Sequence, residues 1–399
     1  PGSGKTTTAI EWAARSIASG VAPNRILMVA YNASAGKAIK ERIEKRVGEA
    51  ARSAWVGTLH GMCWRMWREA HPGDPRGSVE RVMGTDTCEV TAYGLLAPIL
   101  RAEGIFDLNP KDVITLSERV REACVRVDPR QVSDELVTDL KDRLPNEQAA
   151  RIYGRAITLY EKAKIDRGLL DFTDMLVMAH RGLIDDLPWA SKLPNRWSHV
   201  LVDEAQDANR IQVEIVTALT PGCLLWVGDF RQSIYGFRGA RPDLLRSRIE
   251  AGATVLPMRY NYRSDVKIVA ASNRFAVGHD WHVGGDSVAH DGATSSDRAA
   301  VAAGTCRVEE EITHAVKIDG ASPDRFAVLT RTNAELAVSE AKLALADVPY
   351  RSSSGSAGAW GTRDGKAILA YLRTASGTAT VDEIVSIANR PVRKLSRVA

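Results

Sequence analysis

The chain opens Pro1-Gly2-Ser3-Gly4-Lys5-Thr6-Thr7. The Gly-Lys-Thr within it is the closing half of the G-x-x-x-x-G-K-[ST] phosphate-loop spacing. Each residue type has a job in that pattern. The glycines let backbone N–H groups turn toward phosphate oxygens, and a helix starting near Lys5 adds its positive dipole end. The Lys5 ammonium reaches β- and γ-phosphates, and the Thr6 hydroxyl is a hard oxygen ligand suited to Mg2+. The leading glycine of the spacing and the strand before it are not in the sequence. Taken alone, the stretch therefore also fits a flexible terminus, and as a phosphate loop it is expected to bind nucleotide weakly.

Three further segments carry chemistry. The run His199-Val-Leu-Val-Asp203-Glu204-Ala-Gln-Asp207 is apolar and then acidic. Asp203 falls at a strand tip, where a Mg2+-coordinating carboxylate belongs, and Glu204 beside it can polarise an attacking water. A lone Asp-Glu pair is often merely solvated, but here it accompanies a phosphate loop. A second apolar run leads into residues 227–243, which place Gln232 just beyond a strand and then space Tyr235, Phe237 and Arg238. Aromatics interleaved with cations make a stacking platform for unpaired bases, and the competing assignment for Tyr235 and Phe237 is the core. In Asn261-Tyr262-Arg263-Ser264, Arg263 is available to an anionic ligand such as a γ-phosphate.

The elements that must position these residues show in the periodicity. Residues 25–30, 199–204, 223–228 and 325–330 are short β-branched or apolar runs of buried-strand type, while 35–47 and 333–346 repeat at helical spacing. Strands alternating with helices predict a mostly parallel sheet covered on both faces, hence an α/β fold. Residues 76–164 carry helical patterns with few strand signals and are expected to form a helical insertion. Residues 277–303, rich in Gly, Ser, Asp and Ala, are expected to be a loop; a metal role for their His279, His282 and His290 is not favoured.

The 399 residues are 45% hydrophobic and 26% charged, an ordinary globular balance with no apolar stretch of membrane-spanning length, so no membrane partner is expected. The five cysteines are scattered without a C-x-x-C pair, which argues against a zinc site or disulfide framework and suits a reducing cytoplasm. The net charge of +4 is small, but residues 225–275 hold nine Lys/Arg against four acids, as a polyanion site or a solvated basic face would.

Together these residues resemble the UvrD/Rep-type superfamily 1 DNA helicases. Residues 1–7, 202–207, 228–240 and 261–264 are similar to the first four principal motifs of that family, in order. Residues 29–43, 57–67, 169–176 and 324–351 resemble the segments between and after them. The resemblance implies an ATP-dependent helicase that moves 3′ to 5′ on single-stranded DNA and acts at junctions with duplex, in a bacterial or phage-type nucleoid setting. It implies a RecA-like phosphate-loop domain over 1–75 and 165–250, a helical accessory insertion over 76–164, and an incomplete second RecA-like domain over 251–399.

Carried over by residue, the resemblance gives ATP contacts to Gly2, Ser3, Gly4, Lys5, Thr6, Thr7, Tyr262 and Arg263, with Tyr262 stacking on adenine. Thr6 and Asp203 take Mg2+, Glu204 activates water, and Gln232 couples the γ-phosphate to DNA. Tyr31, Tyr235 and Phe237 stack on bases, while Thr58, His60 and Arg238 contact the strand; for His60 a purely local helix-start role competes. Where the family usually has Asn-Lys after the aromatic, this chain has Ala33 and Ser34. The family's adenine-reading glutamine motif and its fifth and sixth motifs are not found. The chain is therefore expected to be the N-terminal portion of a longer helicase and weak or inactive alone. Two alternatives stay open: a non-catalytic nucleotide- and strand-binding module, and the motor part of a helicase–nuclease subunit.

Overall fold

The computed structural model describes residues 2–85, 87–219, 221–277, 285–290, 292, 308–352 and 363–388. His279 and His282 lie outside them. The chain divides into two compact units, 1–301 and 302–399.

The first unit is built on four parallel strands: β1 (Ile26–Ala30), β2 (Trp55–Thr58), β3 (His199–Val202) and β4 (Cys223–Trp226), in the order β2-β1-β3-β4. Every residue of β1 is buried, as a central strand covered on both faces requires. Alternate side chains go to opposite layers. Leu27, Val29, Val200 and Val202 pack with Met62, Met66, Leu176, Ile211 and Ile215. Those partners come from α3 (Leu59–Ala70), α8 (Phe172–Ile184) and α9 (Arg210–Ala218). Ile26, Met28 and Leu201 pack with Ala9, Ile10, Ile39 and Ile43, from α1 (Lys5–Ala18) and α2 (Ala33–Val47). Side-chain caps start α2, α3 and α9 close to the strand ends. Asn32 accepts from Ala35 N at 2.8 Å and Thr58 from Gly61 N at 3.2 Å. Asn209 and Gln212 form a capping box.

Between α3 and α8 the chain is helical: α4 (Ala92–Ala102), α5 (Pro110–Glu122), α6 (Asp134–Lys141) and α7 (Glu147–Arg167). They enclose a core of their own around Leu96, Val113, Leu136, Leu140, Ile157 and Tyr160. This layer is joined to α8 by a buried ionic cluster. Arg121 meets Asp171 and Asp174, each at 2.7 Å, and Lys164 meets both at 2.9 Å and Glu161 at 3.0 Å. Ser117 and Tyr160 donate to Glu161 and Asp171 at 3.0 and 3.2 Å. Asp171 and Asp174 are also the capping box of α8. Burial opposes the charge on Asp171, yet Arg121 and Lys164 hold its carboxyl below the ordinary carboxylate range.

The unit continues through α10 (Pro242–Glu250), β5 (Tyr260–Asn261), α11 (Val266–Ala276) and β6 (Val288–Ala289), with β5 and β6 paired in parallel. The second unit contains α12 (Val308–Lys317), α13 (Asn333–Leu345), α14 (Arg363–Ala375) and α15 (Val381–Ile387), with Ile312, Leu343 and Val348 buried together. The strand expected over 325–330 is not formed among the described residues. Phe326 is extended, at φ −112° and ψ 146°, but no neighbouring strand pairs with the segment, and Leu329 is 93% exposed. An apolar run becomes a strand only with a ladder partner. Conversely, β2 has only four residues, all partly exposed, and the apolar pattern did not mark it.

Truncating Arg121 tests the ionic cluster. Arg121→Leu is expected to destabilise the first unit by about 3–5 kcal/mol, because three carboxylates would keep only Lys164 as a buried partner. Urea unfolding followed by circular dichroism reads this, and a loss below about 1 kcal/mol would show that the cluster does not hold the helical layer.

Candidate nucleotide and nucleic-acid site

The sequence-marked residues of the first unit gather at the edge where the parallel strands end. Gly2 and Gly4 both adopt left-handed backbone, at φ 73° and 81°. Gly4 is the N-cap of α1, whose first turn has no acidic residue and no side-chain cap, so its N–H groups and dipole end are unneutralised. Gly2 through Thr6 are half-buried and Thr7 is exposed. Lys5 acts on two carboxylates across the edge, Asp203 and Asp229. Burial and Glu204 push Asp203 up, against its bond from Glu204 N and the Lys5 charge. Burial also opposes the charge on Asp229, but hydrogen bonding, led by the Gln232 amide, leaves the carboxyl low, with the Lys5 charge a smaller contribution.

Asp203 follows the last residue of β3 and is buried, its N–H bound to Val29 O at 2.9 Å. Glu204 sits at φ 49°, a left-handed conformation that costs a non-glycine residue about 1–2 kcal/mol. Gln206, only 2% exposed, bridges the strand ends. Its Nε2 donates to Glu204 Oε2 at 2.9 Å and its Oε1 accepts from Asp229 N at 2.8 Å. Asp229 Oδ2 in turn accepts from Gln232 Nε2 at 2.6 Å. A hydrogen-bonded relay thus runs Glu204–Gln206–Asp229–Gln232, passing through the Asp229 backbone N–H. Gln206 and Asp229 carried no role in the sequence reading; the signal was an amide within the Asp-Glu-Ala-Gln-Asp run and an acid three residues before Gln232.

Residues 261–264 close on the phosphate loop. Tyr262 N donates to Gly2 O at 2.9 Å, and the buried Asn261 Oδ1 accepts from the N–H groups of Arg263 and Ser264, each at 2.9 Å. A Cβ on Gly2 would lie 2.7 Å from Arg263 Cβ, so this position also excludes larger residues. Arg263 is exposed, and the Tyr262 ring lies 4.8 Å from that of His290.

The aromatic residues form a separate cluster. Tyr31, just after β1, stacks on Tyr235 at 5.0 Å and 22°, and Phe237 lies 6.0 Å from Tyr235. The Arg238 guanidinium is 5.1 Å from the Tyr235 ring and 5.5 Å from that of Phe237. Phe237 is 62% exposed, so it is not a core residue. Beside them is a cavity of about 320 Å³ lined by Tyr31, His60, Glu122, Asp207, Tyr235 and Arg238. His60 packs edge-on against Phe172, and burial, opposed by Asp171, lowers it to about 4. At neutral pH it is an uncharged hydrogen-bonding group. Thr58 Oγ1 accepts the Gly61 cap bond, leaving its proton to give. Burial and Glu118 raise Glu122 to about 7, and burial and Glu204 raise Asp207 to about 6. Asp207 Oδ1 is buried with no hydrogen-bond partner among the described residues.

A left-handed glycine turn feeding a helix N-terminus, a lysine facing two strand-end carboxylates, and a covered parallel sheet define a RecA-like phosphate-loop fold. Residues 1–251 match the family model "UvrD/REP helicase N-terminal domain", and the chain belongs to that family. It is 25% identical over 403 residues to DNA helicase II of Escherichia coli, covering 98% of this chain and 54% of that protein. It is 28% identical over 398 residues to ATP-dependent DNA helicase PcrA of Staphylococcus epidermidis, covering 94% of this chain and 50% of that one. With the putative ATP-dependent DNA helicase YjcD of Bacillus subtilis it shares 27% over 396 residues, covering 93% and 48%. The chain spans about half the length of these relatives. Among the described residues, no helix is long and apolar enough to cross a membrane.

The relay is tested at Gly228, where an added Cβ would meet Gln206 Oε1 at 2.7 Å and Gln206 N at 3.2 Å. Gly228→Ala is expected to cost about 1–3 kcal/mol of stability by displacing Gln206. It should also uncouple nucleotide binding from strand affinity, read by thermal unfolding and by DNA anisotropy with and without nucleotide. Unchanged values in both would remove Gln206 from the coupling path.

Proposed function

We propose that this chain carries the ATP-binding and strand-gripping machinery of an ATP-dependent DNA helicase that travels 3′ to 5′ on single-stranded DNA and opens duplex at junctions. The single observation that carries the proposal is the relay from Glu204 at the end of β3, through Gln206, Asp229 and Gln232, toward the loop bearing Tyr235 and Arg238. It gives nucleotide state a physical route to the aromatic cluster. Gly2, Ser3, Gly4, Lys5, Thr6 and Thr7 hold the phosphates. Tyr262 and Arg263 approach from the segment after 251, where the second RecA-like domain is proposed to begin, with 76–164 as the accessory insertion. The Thr6 hydroxyl and Asp203 carboxylate are hard oxygen donors suited to Mg2+, which when bound would neutralise phosphate charge. Glu204, its carboxylate oriented by Gln206, is the group to polarise the attacking water. Gln232 reads the γ-phosphate position through its bond to Asp229, and Arg263 offsets charge developing there.

On the DNA side, Tyr31, Tyr235 and Phe237 supply π-faces, Arg238 a cation, and Thr58 and His60 neutral hydrogen bonds. Tyr31 and Tyr235 already cover one face of each other, which favours bases stacking on the outer face of Tyr31 and on Phe237. A setting in bacterial DNA repair within the cytoplasm fits this reading.

Lys5→Ala is expected to weaken ATP binding at least tenfold, about 1.4 kcal/mol. Glu204→Gln should keep ATP affinity while lowering strand-stimulated hydrolysis by about 10²-fold or more. Fluorescent-nucleotide titration and phosphate release read the two. Binding without turnover in the unmodified chain would favour a non-catalytic module, and an unaltered rate in Glu204→Gln would remove it from catalysis. Tyr235→Ala should cost about 1–3 kcal/mol of single-strand affinity.

The raised carboxyls fix a pH dependence. Glu122 and Asp207 are charged above their values of about 7 and about 6 and neutral below them. Lowering the pH from 8 toward 6, as an imposed range of about two units, removes negative charge facing the groove and should strengthen single-strand binding. Anisotropy titrations read this, and Glu122→Gln should flatten the dependence.

A further inference from the structure

Away from the phosphate loop and the aromatic groove, three side chains from three helical segments converge. Cys124 follows α5, His180 lies on α8 and Glu214 on α9. Cys124 Sγ is 3.7 Å from His180 Nε2 and 3.4 Å from Glu214 Oε2, and the last two atoms are 2.7 Å apart. All three ligand atoms lie within 4.8 Å of one another. We propose that Cys124, His180 and Glu214 form a binding site for a borderline-soft divalent cation of the Zn2+ class, which clamps the helical layer of α4–α7 to the sheet-covering helices.

The geometry separates this from a nucleophile triad. In a Cys–His–acid triad the imidazole uses opposite nitrogens for its two partners. Here the thiol and the carboxylate approach the same nitrogen, Nε2, as ligands around one centre do. Zn2+ distances of about 2.3 Å to sulfur and about 2.0–2.1 Å to nitrogen or oxygen put tetrahedral ligand atoms about 3.4–3.6 Å apart. The two distances from Cys124 fall within about 0.1 Å of that range; the His180–Glu214 contact must open by about 0.7 Å. A sulfur, nitrogen and carboxylate oxygen set favours Zn2+ over Mg2+, which takes oxygen ligands.

Two of the three ligands are held from behind. Arg210 Nε binds Glu214 Oε1 at 2.7 Å, leaving Oε2 to face the site. Cys124 occupies the left-handed position that ends α5, at φ 67°, with its N–H on Arg121 O and that of Val125 on Val120 O. That hydrogen-bond pair is the Schellman ending, where glycine is the usual residue. A cysteine there carries local strain, and it puts the thiol against α8 and α9. His180 is 14% exposed and Glu214 32%, so the fourth position opens to water. On binding, the Cys124 S–H bond breaks, a sulfur–metal bond forms, and the proton passes to solvent. Sequence spacing did not reveal the site, because its ligands lie 34 to 90 residues apart.

Co2+ is the probe, added to the chain in excess Mg2+ to occupy all-oxygen sites. One equivalent should bind with a thiolate-to-cobalt charge-transfer band that Zn2+ abolishes. Cys124→Ser should lose the band, and His180→Ala should weaken Co2+ binding at least tenfold. No band in the unmodified chain, or a band that persists in Cys124→Ser, overturns the proposal. Should the variants fail to fold, alkylation of Cys124 in the unmodified chain decides, followed by peptide mass mapping. Zn2+ should slow it at least tenfold, and an unchanged rate overturns the site.

Discussion

Four parallel strands covered on both faces set the terms for everything else in the first unit. Their interior positions are filled by residues such as Leu27, Met28, Val200 and Leu201, all essentially inaccessible, so no chemistry can be placed along the strands themselves. Because the strands run the same way, the chain leaves each at one edge, and Tyr31, Thr58, Asp203 and Asp229 fall there within a few residues. The loops at that edge are then locked to one another. Ala205 N binds Val227 O at 2.9 Å, Gln206 reaches Asp229, and Arg241 N binds Ala208 O at 3.0 Å. The proposed phosphate and strand-binding groups are adjacent because both are built from the same row of strand ends.

Two neighbouring regions bury charge in different company. In the cluster of Arg121, Lys164, Glu161, Asp171 and Asp174, two cations sit among three carboxylates at 2.7–3.4 Å; the deepest of them, Asp171, stays ionised, while burial and the Asp171 charge push its neighbour Asp174 up to about 6. At Glu122 and Asp207, burial is not matched by cations at that range, and both carboxyls rise toward neutrality. The first arrangement fixes a helical layer in place. The second leaves the groove with adjustable charge beneath an aromatic and arginine rim.

A good part of this was legible in the residues. The phosphate turn, the strand-end acids and the basic-aromatic run mark themselves, because short motifs place residues through local backbone geometry. Strands β1, β3 and β4 and helices α2 and α13 followed from hydrophobic period within one or two residues. Four-residue β2 did not, and the apolar run at 325–330 did not become a strand, since pairing depends on a neighbour that periodicity cannot name. Gln206 and Asn261 stood inside quoted motifs without a role, because an amide has meaning only once its partners are located.

The sequence by itself therefore determined what is local: the helix that starts at Lys5, the acid at the tip of β3, and the membership in a family of phosphate-loop proteins. The tertiary structure alone decided what is joined across distance. It brought Arg121 to Asp171, Tyr31 to Tyr235, Gly2 to Tyr262 and Cys124 to Glu214. The physical reason is that hydrogen bonds, ion pairs and ring contacts act over a few ångströms of space. Their partners are chosen by the crossovers of a parallel sheet, which set together residues that no sequence window holds at once.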